Sequence, residues 1–224
     1  WRQRQSVNFN GVARSIISWE DNAGNRYLSA GTHNKLYAVN AGGTTTDITP
    51  NGLTVGRVSA GINTGFGGGV YGLEEYGEPR QDAENLLPAT IWSLDNWGEY
   101  LLAMSPADGK LYQWQLNPAT DAVVISNAPV NNTGFMVTEE RFVVCFGAGG
   151  DPRKIQWSDQ EDNTTWTAAA TNQAGDLIVQ TNGTILAGLR ARGQSVILTS
   201  EDCHSLTYAG PPFIYNLERV GTSC

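Results

Sequence analysis

The sequence predicts an all-β fold, a β-propeller-type array of four-stranded antiparallel blades with a Gly-rich acidic insertion. Three observations predict it. One hairpin-like phrase recurs along the 224 residues. Within the phrases, apolar and polar residues alternate with the period of two that gives a strand two distinct faces. The composition agrees, because 26 glycines and 7 tryptophans accompany only 16% charged residues. That balance suits short strands and tight turns; helices need runs of Ala, Leu, Glu, Lys and Arg.

The phrase is an apolar run, a polar or glycine turn, and a second run that holds an aromatic. Its first copy is RYLSAGTHNKLYAVN, from residue 26. The second, EYLLAMSPADGKLYQWQLN from residue 99, repeats the Lys-Leu-Tyr triplet of Lys35-Leu36-Tyr37 at Lys110-Leu111-Tyr112. Its Asp108-Gly109 pair has the chemistry of a two-residue hairpin turn. The third copy, RFVVCFGAGGDPRKIQWSD, starts at residue 141, and the fourth, QSVILTSEDCHSLTYAG, at residue 194. The later intervals match the roughly 40–50-residue period of propeller blades. The first interval is longer by an insertion, so the segment holds about four blades. Residues 1–224 are expected to form one propeller-type domain or part of one, in a protein that continues past residue 224.

The insertion covers roughly residues 56–90 and contains GFGGGVYG followed by LEEYGEPRQDAENLLP. Here Glu74, Glu75, Glu78, Asp82 and Glu84 are accompanied by the single cation Arg80. A loop of this length in a compact domain is usually functional or partner-bound. Gly67, Gly69 and Gly72 satisfy G-x-G-x-x-G, but Pro79 and Pro88 stand where a dinucleotide site needs its helix.

The remaining motifs point away from catalysis and cofactors. His33 and His204 are the only histidines, and neither has a second histidine at ligand spacing. No G-x-S-x-G nucleophile elbow occurs. The GAGGDPRK run at residues 147–154 lacks the G-K-[ST] ending of a phosphate loop and reads as a hairpin turn. Asp21-Asn22-Ala23-Gly24-Asn25 is too short for an EF-hand and reads as a turn. Cys145 lies in an apolar run and reads as a core residue. Residues 158–166 (SDQEDNTTW) resemble the Asp-box turn of sialidase-type propellers, imperfectly, because no glycine follows Asp162 at the expected place. Such a box tightens a turn and carries no activity. No catalytic residue, metal ligand or cofactor is therefore assigned.

Charge narrows the partners. There are 14 Lys+Arg against 22 Asp+Glu, a formal net charge of −8, which argues against a surface built to hold nucleic-acid phosphates. No apolar run approaches the roughly 20 residues that span a bilayer.

Taken together, PATIWSLDNWGEYLLA (residues 88–103), GDPRKIQWSDQEDNTTW (150–166), NQAGDLIVQTNG (172–183) and GPPFIYNLERVGTSC (210–224) resemble a family of tailed-bacteriophage structural proteins. That family is similar in role to the nozzle or tail tubular proteins of short-tailed phages. The resemblance implies a non-enzymatic virion tail protein below the portal and adaptor, assembled as a homohexameric ring beside tail fibres or spikes. DNA would pass through it without specific binding during ejection. An acidic lining lets a duplex slide, whereas lining cations would hold its phosphates. On this reading Glu74, Glu75, Glu78, Asp82 and Glu84 face the channel or a partner. Tyr76, Trp92 and Trp97 are candidate interface anchors, since interfaces are enriched in Tyr and Trp. The competing expectation for the tryptophans is packing between blades. The alternative function is a glycan- or receptor-binding propeller on a virion or cell surface.

Overall fold

The computed structural model describes residues 7–60 and 88–222. It contains four four-stranded antiparallel sheets, each a simple up-and-down meander in chain order. Blade 1 comprises β1 (Ser15–Glu20), β2 (Arg26–Gly31), β3 (Leu36–Asn40) and β4 (Thr45–Asp47). Blade 2 comprises β5 (Ser93–Trp97), β6 (Tyr100–Ser105), β7 (Lys110–Trp114) and β8 (Val123–Val124). Blade 3 comprises β9 (Gly134–Val137), β10 (Val143–Phe146), β11 (Lys154–Trp157) and β12 (Gly175–Ile178). Blade 4 comprises β13 (Ile185–Ala191), β14 (Gln194–Thr199), β15 (Asp202–Gly210) and β16 (Ile214–Thr222). This is the propeller-type blade, and each recurring phrase is the central hairpin of one of them.

The blades follow one another through their first strands, with β1 beside β5, β5 beside β9 and β9 beside β13. Three apolar cores fill the spaces between consecutive blades. Between blades 1 and 2, Trp19, Leu36 and Ala38 meet Trp92, Leu101, Ala103 and Trp114. Between blades 2 and 3, Leu102, Met104 and Leu111 meet Phe135, Val143, Cys145 and Trp166. Between blades 3 and 4, Val144, Phe146, Ile155 and Trp157 meet Ile197, Leu206 and Tyr215. The alternation of the central strands explains this, because Leu101 and Ala103 face back while Leu102 and Met104 face forward. A strand buried on both faces therefore reads as a continuous apolar run such as LLAM or VVCF.

Two expectations change in detail. The β6–β7 connection is a four-residue turn, residues 106–109, since Ser105 pairs directly with Lys110. Only Gly109 of the Asp108-Gly109 pair has a positive φ, of 63°, so this is not a two-residue mirror-image turn. The turn closes through Asp108 and Gly109 amides donating to the Ser105 carbonyl. The Gly-rich run from residue 65 and the acidic stretch after it lie outside the described residues. The two ends of the insertion meet: the Arg57 amide donates to Thr90 Oγ1 at 2.8 Å, and the Thr90 amide donates to the Arg57 carbonyl at 3.1 Å.

Candidate functional site

The strand order places the connections after each first and third strand at one mouth of the array. The longest of them at the blade 3 end joins β11 to β12, and it meets the β15–β16 turn across an open cleft of about 1080 Å³. Asp159, Gln160, Glu161, Asn172 and Gln173 line it on one side, and Pro211, Pro212 and Ile214 on the other. Phe213, at the tip of that turn, is 78% exposed.

The polar groups of the cleft are mostly engaged in holding the loop. Asp159 Oδ1 accepts from the Gln160 and Gln173 amides at 2.9 and 2.8 Å. Gln173 Nε2 donates to Gln160 Oε1, and Tyr208 Oη donates to Gln173 Oε1, both at 3.1 Å. Two carboxylates, Asp159 and Glu161, and no cation stand in the lining, which disfavours phosphate-rich ligands.

The Asp-box-like run forms the rim of this cleft and behaves as a structural turn. Asp162 Oδ1 accepts from the Thr164 amide at 2.8 Å and from Thr164 Oγ1 at 2.7 Å, while Oδ2 accepts from Thr165 Oγ1 at 2.8 Å. These bonds, Thr164's first, hold the Asp162 carboxyl below the usual carboxylate range. Trp166 is buried and its indole N–H donates to the Asn163 carbonyl at 2.7 Å. The Asp21 loop is built alike: its carboxylate accepts from the amides of Ala23 and Asn25 and from the Asn25 side chain.

The candidate interface tryptophans need correction. Trp92 is 3% and Trp97 8% exposed, so neither is an exposed anchor. Trp92 packs against Gly31, where an added Cβ would sit 2.6 Å from the indole, and its N–H donates to the Thr32 carbonyl at 2.6 Å. It locks blade 2 to blade 1. Trp97 belongs to the core between blades 2 and 3 and carries the Arg141 guanidinium 4.7 Å from its ring centre. Tyr76, Glu74, Glu75, Glu78, Asp82 and Glu84 lie outside the described residues.

One polar cluster was not singled out from the sequence. In the β14–β15 hairpin, Asp202 Oδ1 accepts from Thr199 Oγ1 at 2.5 Å and pairs with His204 Nε2 at 2.9 Å. All three residues are buried. Burial alone would raise the Asp202 carboxyl, but the bonds from Thr199 and His204 outweigh it and hold the group below the usual range. The available signal was the spacing: Asp202 and His204 stand two apart on a strand and so share a face. The cluster secures a turn. Cys145 is fully buried, which pushes its thiol pKa well up and makes it unreactive.

No family model matches the chain, and no curated protein matches it. Among solved structures, one similar chain is a streptogramin B lyase, 11% identical with a TM-score of 0.41, over 91% of this chain and 53% of that one. Another is the extracellular domain of the hybrid two-component system BT4673 from B. thetaiotaomicron, 12% identical with a TM-score of 0.43. It covers 100% of this chain and 30% of that one. The chain thus spans about half of the first and less than a third of the second. Neither likeness bears on activity. No helix among the described residues is long and apolar enough to cross a membrane.

Proposed function

We propose that this chain is a structural component of a bacteriophage virion, part of the tail nozzle or hub through which DNA leaves the particle. The observation that carries the proposal is the residue-level resemblance of its blade phrases to tailed-phage structural proteins. The blade array supports a wall-forming role. Its first strands run side by side and the faces between consecutive blades are spent on blade-to-blade packing. The cation-poor composition supports passage of DNA without capture. The mechanism is geometric enclosure with electrostatic non-adhesion, and it needs no bond-making step. Immunogold labelling of intact particles tests it. Label confined to the tail below the portal is expected; label over the head, or on no particle, overturns it.

A second reading has one observation in its favour. Exposed Phe213 stands beside a cleft rich in side-chain amides, and stacking aromatics with amide partners suit sugar rings. A glycan array that gives a binder lost in Phe213→Ala would move the assignment to a receptor-binding propeller.

A further inference from the structure

The cleft between the β11–β12 connection and the β15–β16 turn carries groups that the fold itself does not use. Its walls are apolar and exposed, with Ala168, Ala169 and Ala170 on one side and Pro211, Pro212 and Phe213 on the other. Exposed apolar residues standing singly are ordinary, but two rows facing one cleft mark an interaction site.

The polar groups left unspent in the lining are acceptors. Gln160 Nε2 donates to the Glu140 carbonyl, Asn172 Nδ2 to the Thr167 carbonyl and Gln173 Nε2 to Gln160 Oε1, so the side-chain amides are occupied within the loops. Asp159 holds its loop through Oδ1. The Glu161 side chain is 69% exposed, and its carboxylate stands 3.9 Å from Arg141 Nε, beyond hydrogen-bond distance.

Charge is also sorted between the two mouths of the array. In the connections of the cleft's mouth the cations are Arg141 and Arg192 alone, and Arg141 lies over the Trp97 ring. Glu139 and Glu140 stand in the β9–β10 turn, to which Gln160 and Glu161 bond, and they add to Asp159 and Glu161. Lys35, Lys110 and Lys154 all stand at the other mouth, each at the entry to a third strand. There Asp47 and Asp176 pair with two of them.

From the apolar walls, the acceptor-only lining and this sorting of charge, we infer that the cleft is the docking site for an extended, lysine- or arginine-bearing segment of a second protein. The aliphatic stem of such a side chain suits the Ala and Pro walls. Its charged head suits the Glu161 carboxylate and the exposed Phe213 ring. A cleft of about 1080 Å³ is open enough for a length of chain. Phosphorylated ligands are repelled by the lining, and a neutral sugar finds the amides already occupied. The inference does not rest on the tail assignment, and either can fail without the other.

Fluorescence anisotropy with the full chain tests it. The probe is a short labelled Lys-Pro repeat peptide, which is extended before it binds, with Glu-Pro and Ser-Pro repeats as controls. Only the Lys-Pro peptide should bind saturably. Its affinity should fall about fivefold in Glu161→Gln and in Phe213→Ala, and stay unchanged in Glu201→Gln at the other mouth. A benzophenone at the centre of the peptide should crosslink to residues 168–174 or 211–214. Equal affinity in all three variants, or crosslinks spread over Asp21 and Glu99 elsewhere on the same mouth, would reduce the effect to diffuse attraction and overturn the inference. Absence of binding would overturn it too, as would displacement of the peptide by a neutral glycan, which would give the cleft to the receptor-binding reading.

Discussion

At the scale of single residues, the fold is held by indole N–H groups and carboxylates that find backbone or hydroxyl partners inside the array. Trp19, Trp92, Trp157 and Trp166 each bury an indole and donate to a carbonyl, as buried tryptophans must to avoid an orphaned donor. Trp92→Ala should cost about 3–5 kcal/mol, the range for large aromatic truncations, with chemical denaturation as the readout. Asp202 makes a second prediction. Its carboxyl is held below the usual value in the fold, so its contribution is present above the unfolded value, 3.8, and is lost as pH falls through the folded one. Asp202→Asn should lower the thermal midpoint at neutral pH, and the gap to the parent should narrow as the solution is acidified below about pH 4. A gap that stays constant with pH would mean that the charge of Asp202 does not matter.

At the scale of elements, the central hairpins were legible and their surroundings less so. The runs LLAM and VVCF announced the second strands because burial on both faces leaves no polar alternation to dilute them. The outer strands were harder. β8 has two residues and β4 three, too short for any periodicity. The Asp108-Gly109 pair gave the right hairpin and the wrong turn, because the dipeptide rule describes mirror-image turns and only Gly109 takes a positive φ here. Gly109 matters for a second reason that the sequence could not show. A Cβ there would lie 2.5 Å from Asn131 Cα and 2.6 Å from the Asn132 amide nitrogen. Asn132 in turn donates to the Gly109 carbonyl from its amide at 3.1 Å and from its side chain at 2.8 Å. The turn thus pins the segment leading into blade 3. Ordinary Gly→Ala replacement stabilises slightly, but at a positive φ with backbone in the way Gly109→Ala should instead destabilise by about 1–3 kcal/mol or more, and equilibrium unfolding would measure it. A loss within experimental error would contradict this backbone contact.

At the scale of the whole molecule, the fold class was legible because a repeat announces itself several times, whereas a functional site occurs once. The tryptophans near the insertion illustrate the limit. Sequence allowed them to be interface anchors or packing between blades; the close approach of Trp92 to Gly31 and the burial of Trp97 in the core between blades 2 and 3 show packing. The Thr199–Asp202–His204 cluster stayed hidden because its members are common residues whose meeting depends on the turn between two strands. Net charge predicts a further bulk property. With a formal charge of −8, the chain should show no measurable affinity for duplex DNA even at low salt, where phosphate contacts are strongest. A fluorescence-anisotropy titration with labelled duplex checks this, and salt-sensitive binding would reveal a cationic surface.

On the proposed function these blades form part of a ring around a DNA path in a virion tail. Electron microscopy of the native particle, with two-dimensional class averages viewed down the tail axis, tests it most directly. The expected result is a sixfold ring around an open channel at or below the portal, with this chain in its wall. Isolated discs, or copies at the tips of fibres, would contradict the proposed tail role and favour receptor binding.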